Sequence, residues 1–150
     1  MKAALILICD VPQYIKDIRK KYDYHKNIPA HTTLCFLKSD FNEKDLISKL
    51  RNVSIFNINL DKIEKDTDIL YLKLENETNL LKINNKIEKY IDKYPKSGYH
   101  LTLGLSKKKL YVPNKIIESI DIPIKVNIKK IWLMKKKDKD WYRSKTIFLK

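Results

Sequence analysis

The sequence predicts one α+β domain, built as a duplicated, bilobed unit about a pseudo-two-fold axis. Strand-like and helix-like hydrophobic periods alternate along the 150-residue chain, which is long enough for a substantial core. A four-residue frame, His31–Leu34, recurs as His100–Leu103, and Lys38 and Lys107 follow the two frames at the same offset. A duplication of this kind folds most naturally as two lobes that bring the histidine strands together at the centre.

The elements of the first half follow from hydrophobic spacing. Ala3–Ile8 is a continuous apolar run, typical of a strand covered on both faces. Helical spacing predicts a helix over Val11–Tyr22, with Asp10 as its N-cap and Pro12 in the first turn. A strand, a short helix and two further strands are expected next, at His31–Leu37, Asn42–Leu50, Ile55–Ile63 and Ile69–Leu74.

The second half opens with an apolar stripe that predicts a long amphipathic helix over Thr78–Tyr94, ended by Pro95 and Gly98. A charged hairpin turn is expected at 135–140, between the last two strands. The elements that follow the helix are a strand, a short helix and two strands, at His100–Leu105, Pro113–Ser119, Ile124–Met134 and Tyr142–Leu149.

Both frames read His, any residue, Thr, Leu. Residues i and i+2 of a strand point to the same face, so His31 lies beside Thr33 and His100 beside Thr102. The chain has only six Thr, so two such pairs among three histidines are improbable by accident. An imidazole can act as general base or general acid near neutral pH, and a hydroxyl can stabilise a charged phosphate oxygen. Either histidine could take either role.

The charge balance favours a polyanionic partner such as nucleic acid. The chain carries 32 Lys and Arg against 18 acidic residues, a formal net charge of +14. The lysine-rich composition of an AT-rich genome explains the same surplus equally well. Cys9 and Cys35 lie in apolar runs without ligand spacing, so we expect two buried, reduced thiols, with a disulfide between neighbouring strands as the alternative. The apolar N-terminal run is too short for a signal peptide or membrane span, and a cytoplasmic protein is expected.

Two kinds of site are excluded. The only glycines are Gly98 and Gly104, so there is no glycine-rich phosphate loop of the NTPase or dinucleotide-binding type. Neither histidine frame has an acidic or cysteine ligand beside it, which argues against zinc. We therefore expect no metal and no cofactor.

The paired frames resemble the two-histidine (2H) phosphoesterase superfamily. His31–Leu37 is similar to the family's HxTLxFL strand and His100–Gly104 to its HLTL strand, and Ile131–Leu149 resembles its closing hairpin. Thr32 departs from the larger apolar residue usual there. The resemblance spans nearly the whole chain. It implies a LigT-like fold over residues 1–150, with lobes at roughly 1–66 and 67–150 that can exchange strands. Two antiparallel sheets would form a central cleft, with helices outside.

The family includes LigT-like 2′-5′ RNA ligases, cyclic nucleotide phosphodiesterases and viral enzymes that destroy nucleotide second messengers. The resemblance implies a metal-independent phosphodiesterase for RNA-type esters with a 2′ oxygen, with His31, Thr33, His100 and Thr102 as catalytic residues. The favoured substrates are 2′-5′ oligoadenylate or cyclic oligonucleotide messengers, as in immune evasion. The alternatives are 2′,3′-cyclic phosphodiesterase or ligase-like processing of RNA ends and, in another class, a non-catalytic RNA-binding module.

The expected partner is a nucleotide or oligonucleotide, with no membrane and no obligate protein partner; a viral enzyme would act in the host cytoplasm. Six further side chains are candidate substrate contacts: lysines beyond the histidine strands for phosphates, and aromatic residues and a cation for a base. They are Lys38, Lys107, Trp141, Tyr142, Arg143 and Tyr14. Lysines at such positions often only solvate a strand end. His25 lacks a Thr partner and is expected to be a surface residue.

Overall fold

A computed structural model describes residues 2–25 and 27–150; Met1 and Lys26 lie outside the described residues. Its helices are α1 (Gln13–Tyr22), α2 (Glu43–Leu50), α3 (Thr78–Lys86) and α4 (Asn114–Glu118). Its strands are β1 (Lys2–Ile8), β2 (His31–Leu37), β3 (Phe56–Leu60), β4 (Lys62–Lys65), β5 (Ile69–Lys73), β6 (Ile91–Lys93), β7 (His100–Leu105), β8 (Ile124–Ile128), β9 (Lys130–Lys137) and β10 (Asp140–Phe148).

Two antiparallel sheets organise the molecule. The large sheet has the order β10-β9-β1-β2-β7-β5-β4, with β6 paired to β2, and the small sheet consists of β3 and β8. One residue pair, Thr32 with Leu101, joins β2 to β7 at the centre of the large sheet. The two histidine strands are therefore neighbours, and the α+β, pseudo-two-fold fold predicted from the repeated frames is confirmed.

The two histidine strands carry the same irregularity. The register of β2 against β1 skips Leu34, and the register of β7 against β5 skips Leu103. Each leucine is thus the extra residue of a β-bulge, a feature that bends a strand and redirects its neighbouring side chains. Both leucines are fully buried. In each His-x-Thr-Leu frame, the bulge therefore lies at the leucine, immediately after the threonine.

The helices cover the core in a crossed arrangement. Helix α1, from the first half of the chain, packs on β7, and α3, from the second half, contacts β2. Ile15 of α1 and Leu80 of α3 are fully buried in the same core as Leu34 and Leu101. Each such side chain contributes about 1.5–3 kcal/mol by leaving water. The longest helix in the described residues has 10 residues, and none has the length and hydropathy to cross a bilayer.

The predicted helix over Thr78–Tyr94 is wrong in its second half. Helix α3 ends at Lys86, a 3₁₀ turn follows at Glu88–Tyr90, and β6 pairs with the end of β2. Ile87, Tyr90 and Ile91 are buried all the same. A 3₁₀ turn and a short strand bury the same apolar stripe as a helix would, so hydrophobic spacing did not separate them.

Other element boundaries also differ from the prediction. Pro12, not Asp10, occupies the N-cap position of α1, and its carbonyl accepts from the N–H of Ile15. The strand predicted over Ile55–Ile63 divides into β3 and β4, because Asp61 leaves the ladder and its carboxylate accepts from a loop N–H. The strand predicted over Ile124–Met134 divides in the same way, at residue 129 between β8 and β9.

Cys9 and Cys35 are buried and free, as the sequence predicts. Burial raises the pKa of both thiols to about 12, so neither is a thiolate near neutral pH. Cys9 lies 3.9 Å from the hydroxyl of Thr32, the residue that departs from the family pattern. Thr32 is fully buried, and this contact gives its hydroxyl a partner inside the core.

Candidate active site

The four residues of the histidine frames meet on one face of the large sheet. Because Thr32 pairs with Leu101 in antiparallel register, His31 lies opposite Thr102, and Thr33 lies opposite His100. Directly opposite residues have Cβ atoms about 5 Å apart, and diagonal neighbours about 7–8 Å. The two imidazoles therefore stand on a diagonal, and the two hydroxyls occupy the other diagonal. One tetrahedral anion can contact all four side chains at this spacing.

Backbone carbonyls orient both imidazole rings. The Nδ1 of His31 lies 2.8 Å from the carbonyl of Pro29, and the Nδ1 of His100 lies 2.9 Å from the carbonyl of Gly98. A carbonyl oxygen only accepts, so each Nδ1 carries the proton and donates. Gly98 has φ +73°, a conformation that favours glycine, as the turn delivers its carbonyl to His100. Each neutral ring is left with an unprotonated Nε2 as its free nitrogen.

His31 is electrostatically biased toward the neutral form. Burial lowers the pKa of its imidazole from 6.5 to about 4. The positive charge of Arg19 adds to the lowering, while the Pro29 carbonyl and the carboxylate of Asp23 act in the opposite direction. At neutral pH this histidine is therefore a proton acceptor, which is the state that a general base needs.

Arg19 of α1 connects the two histidine frames through hydrogen bonds. Its side chain is buried and donates to the carboxylate of Asp23 at 3.0 Å. It also donates to the carbonyl of Thr102 at 3.1 Å and to the carbonyl of Ile28 at 2.9 Å. Ile28 lies in the loop that leads into His31. One guanidinium thus ties the strand of the second frame to the approach of the first.

The ring of His100 is packed by an aromatic neighbour. The rings of Tyr71 and His100 are 4.9 Å apart with a tilt of 55°. The hydroxyl of Tyr71 donates to the carboxylate of Glu64 at 2.6 Å, and this bond raises the pKa of the tyrosine and lowers that of Glu64. The bond anchors Tyr71 against the imidazole.

The four residues open into a cleft with two compartments. The narrow compartment, about 170 Å³, contains His31 and Thr102, and the wide compartment, about 430 Å³, contains His100. Thr33, Phe36 and Trp141 line both. The two histidines therefore face adjoining parts of one cleft, with a threonine at the boundary.

An aromatic and cationic wall forms the boundary between the compartments. The rings of Phe36 and Trp141 are 6.4 Å apart. Lys93 lies 5.6 Å from the Phe36 ring and Lys136 lies 5.8 Å from the Trp141 ring. Flat aromatic faces beside ammonium groups are suited to hold a nucleobase and an adjacent phosphate.

The structure distributes the six candidate substrate contacts over several regions. Trp141 lines the cleft. Arg143 lies with its guanidinium 4.9 Å from the ring of Trp132, and Tyr142, the next residue of β10, is exposed. These positions follow from the alternation of side chains along a strand, which sends neighbours to opposite faces.

The other three candidates lie at the periphery, whereas His25 is at the edge of the cleft. Lys38 is exposed beyond the end of β2, and its N–H donates to the carbonyl of Tyr90. Lys107 stacks over Tyr24 at 4.5 Å in an exposed loop. The hydroxyl of Tyr14 accepts from the N–H of Asp121. His25, expected on the surface, is exposed and also lines the narrow compartment.

Several residues at the site have no separate signal in the sequence. Phe36 has an apolar neighbour on each side in β2, and only the bulge at Leu34 turns it to the cleft face. In the sequence, Arg19 resembles any basic residue on the polar face of an amphipathic helix. An arginine four residues before an aspartate, at Asp23, was the one available hint, since i,i+4 pairs of opposite charge are common on helices.

Metal-ligating side chains do not cluster in the structure. Within residues 2–25 and 27–150, no three His, Cys, Asp or Glu side chains are placed to hold one ion. Two carboxylates near the site already have partners: Asp23 is paired with Arg19, and Glu64 accepts from Tyr71.

The fold recurs in solved structures. A structure described as a phosphoesterase has a TM-score of 0.61 and 14% identity, with 99% of this chain and 98% of that chain covered. Escherichia coli LigT complexed with 3′-AMP has a TM-score of 0.57 and 16% identity, with 99% of both chains covered. Protein TT0787 of Thermus thermophilus has a TM-score of 0.61 and 16% identity, with 99% of this chain and 97% of that chain covered.

The comparison with curated proteins gives no significant match. The comparison with family models gives one that covers most of the chain, with residues 9–140 matching the 2′-5′ RNA ligase superfamily. This range includes both histidine frames. Trp141 lies one residue beyond its end. The chain belongs to the 2′-5′ RNA ligase superfamily of two-histidine phosphoesterases.

Proposed function

We propose that the protein is a metal-independent phosphodiesterase that cleaves RNA-type phosphoesters involving a 2′ oxygen. The observation that carries the proposal is the diagonal of two imidazoles, each with Nδ1 bonded to a carbonyl and Nε2 free. A binding site for nucleic acid has no need of two matched proton-transfer groups. A phosphodiester cleavage needs both, one for the attacking oxygen and one for the leaving oxygen.

The environment of His31 supports an assignment of the two roles. Its lowered pKa suits it to be the base, which removes a proton through Nε2 from the attacking water or ribose hydroxyl. His100 is then the acid: with both ring nitrogens protonated, it keeps the Nδ1 bond to Gly98 and donates its Nε2 proton to the leaving oxygen as the P–O bond breaks. The hydroxyls of Thr33 and Thr102 donate to the non-bridging oxygens, where negative charge builds in the transition state.

The shape of the cleft favours a substrate with a nucleotide on each side of the phosphate. The narrow and wide compartments lie on either side of Thr33, and Phe36 and Trp141 offer stacking surfaces to both. We therefore favour 2′-5′ oligoadenylate or a cyclic oligonucleotide, in keeping with an immune-evasion enzyme. A terminal 2′,3′-cyclic phosphate of RNA is the second candidate. It is supported by Escherichia coli LigT, a protein of the same fold solved with 3′-AMP.

A substrate panel tests this proposal. The protein is incubated in EDTA with 2′-5′ oligoadenylate, a cyclic dinucleotide, a 2′,3′-cyclic nucleotide and a 3′-5′ linked RNA, and products are separated by chromatography. We expect turnover of the first two, and no cleavage of the 3′-5′ linked RNA. Turnover of the 2′,3′-cyclic nucleotide alone would assign the protein to RNA-end processing. No turnover of any compound would favour the RNA-binding module.

The pH dependence of kcat/KM tests the role of His31. The base must be neutral, so we expect the acidic limb to have its midpoint near pH 4, well below the 6.5 of an ordinary histidine. The same pKa shift makes the free energy of unfolding depend on pH. As the pH falls, His31 is protonated in the unfolded state before it is protonated in the folded state. This group therefore has no effect on the free energy of unfolding above about pH 6.5 and lowers it as the pH drops toward 4.

Circular dichroism at each pH separates loss of catalysis from loss of folding. The acidic limb of kcat/KM is determined only at pH values where the protein is folded. An acidic limb with its midpoint near 6.5 in folded protein would contradict the assignment of His31 as the base.

A further inference from the structure

We propose that a groove of lysines outside the catalytic cleft binds the phosphate backbone of a single-stranded oligoribonucleotide. The proposal deepens the proposed function and rests on it for the chemistry of the substrate. The groove, here called the lysine groove, has a volume of about 940 Å³. Its cations are Lys16, Lys20, Lys125, Lys129 and Lys130.

The charge of the lysine groove is concentrated and largely free. Five lysines line it, from α1, from β8, from residue 129 and from residue 130 at the start of β9, together with Asn27 and Asn127. Asp10 is the one acidic residue among its described lining, and its side chain is 90% exposed and 3.5 Å from Lys16. Arg19 also reaches the groove, but its charge is paired with Asp23.

The lysine groove lies next to the catalytic base. Pro29, whose carbonyl orients His31, lines the groove, and so does Ile8, which pairs directly with His31 across β1 and β2. The neighbouring residue Ile28 lines the narrow compartment of the cleft. Consecutive residues of the segment before β2 thus line the two cavities, and an oligonucleotide that extends from the cleft past His31 would reach the groove.

The lining suits phosphates and not bases. Among its described residues the groove has no aromatic side chain, in contrast to the Phe36 and Trp141 wall of the cleft. Ammonium groups without stacking partners contact the backbone without reading the sequence. The concave shape admits a flexible strand and does not fit the flat surface of a bilayer. The expected ligand is therefore a linear oligoribonucleotide with several phosphates beyond the scissile one, which among the proposed substrates fits 2′-5′ oligoadenylate or an RNA end and not a cyclic messenger.

Binding is tested with a fluorescein-labelled 2′-O-methyl RNA of about twelve nucleotides, which has no free 2′ hydroxyl, by anisotropy over a range of salt concentrations. The groove variant is Lys20→Glu/Lys125→Glu/Lys129→Glu, at three exposed positions. The matched control is Lys82→Glu/Lys86→Glu/Lys115→Glu, with the same charge change at exposed positions of α3 and α4. Lys20 and Lys86 both lie in the last turn of a helix.

We expect the groove variant to bind at least about tenfold more weakly than the control. The slope of log K against log salt should fall in magnitude by about 2, since each contact with single-stranded nucleic acid contributes about 0.7. In catalysis, the ratio of kcat/KM for an oligonucleotide to that for a mononucleotide should fall about tenfold. Equal loss in both folded variants would show that net charge alone attracts RNA and would overturn the proposal.

The outcome is separable from failure of the proposed function. If the wild-type protein turns over no substrate, the binding experiment still decides whether the lysine groove holds RNA. If the wild-type protein turns over its substrates and the two variants bind the RNA equally well, the proposed role of the lysine groove is wrong and the catalytic proposal stands. Circular dichroism of both variants verifies that each is folded.

Discussion

Replacing either His31 or His100 with alanine is expected to lower kcat by roughly 10²–10⁴-fold, the usual contribution of a general acid or base. In the proposed mechanism each imidazole moves one of the two protons, so loss of either leaves one oxygen without its proton-transfer group. The double variant should lose little more than the worse single variant, because groups that act on one transition state are not additive. Initial rates on the best substrate of the panel measure all three.

His31→Asn and His100→Asn are the matched controls for folding. The asparagine amide can still donate to the carbonyl of Pro29 or Gly98, so the orienting hydrogen bond is kept while the proton-transfer group is removed. We expect native circular dichroism and the same loss of activity. A single alanine variant that is folded and retains more than about a tenth of wild-type kcat would remove that histidine from the chemistry.

Arg19→Met should give the largest loss of stability, about 3–5 kcal/mol, because it leaves the carboxylate of Asp23 buried without its cation. It also removes the donor to the carbonyls of Thr102 and Ile28. A domain of this size has a free energy of unfolding of about 5–15 kcal/mol, so the loss is a large fraction of the total. Urea denaturation followed by tryptophan fluorescence measures it.

Two comparison variants interpret this result. Asp10→Asn breaks the exposed Lys16–Asp10 pair and should change stability by less than about 1 kcal/mol. Arg19→Met/Asp23→Leu removes both buried charges and should recover much of the loss.

In folded Arg19→Met the pKa of His31 should rise, since a positive charge that lowers it is gone, and the acidic limb should move to higher pH. An unchanged limb together with unchanged stability would show that Arg19 does not position the site.

The sequence predicted the centre of the molecule better than its edges. The strands His31–Leu37 and His100–Leu105 have the predicted bounds, because alternation and fixed motif spacing act together there. The lysines and tyrosines proposed as substrate contacts lie mostly at the periphery. Their expected positions depended on how loops pack, and no period in the sequence carries that information.

Tertiary pairing accounts for what the sequence left unpredicted. The end of the predicted second-half helix became β6 because the end of β2 offered an unpaired edge. Phe36 faces the cleft only because the bulge at Leu34 shifts the alternation by one residue. Arg19 is buried because Asp23 and two carbonyls converge on it from separate segments. Each of these outcomes depends on a long-range contact.

The crossed helices have a consequence for the two sequence repeats as separate polypeptides. Arg19 of α1 binds a carbonyl of β7, and Asn84 of α3 binds the carbonyl of Leu34 in β2 at 3.3 Å. A fragment ending between the repeats would expose Ile15 and leave Arg19 without its carbonyl on the far strand. A separate half-length polypeptide could therefore recover these two contacts only from a second copy.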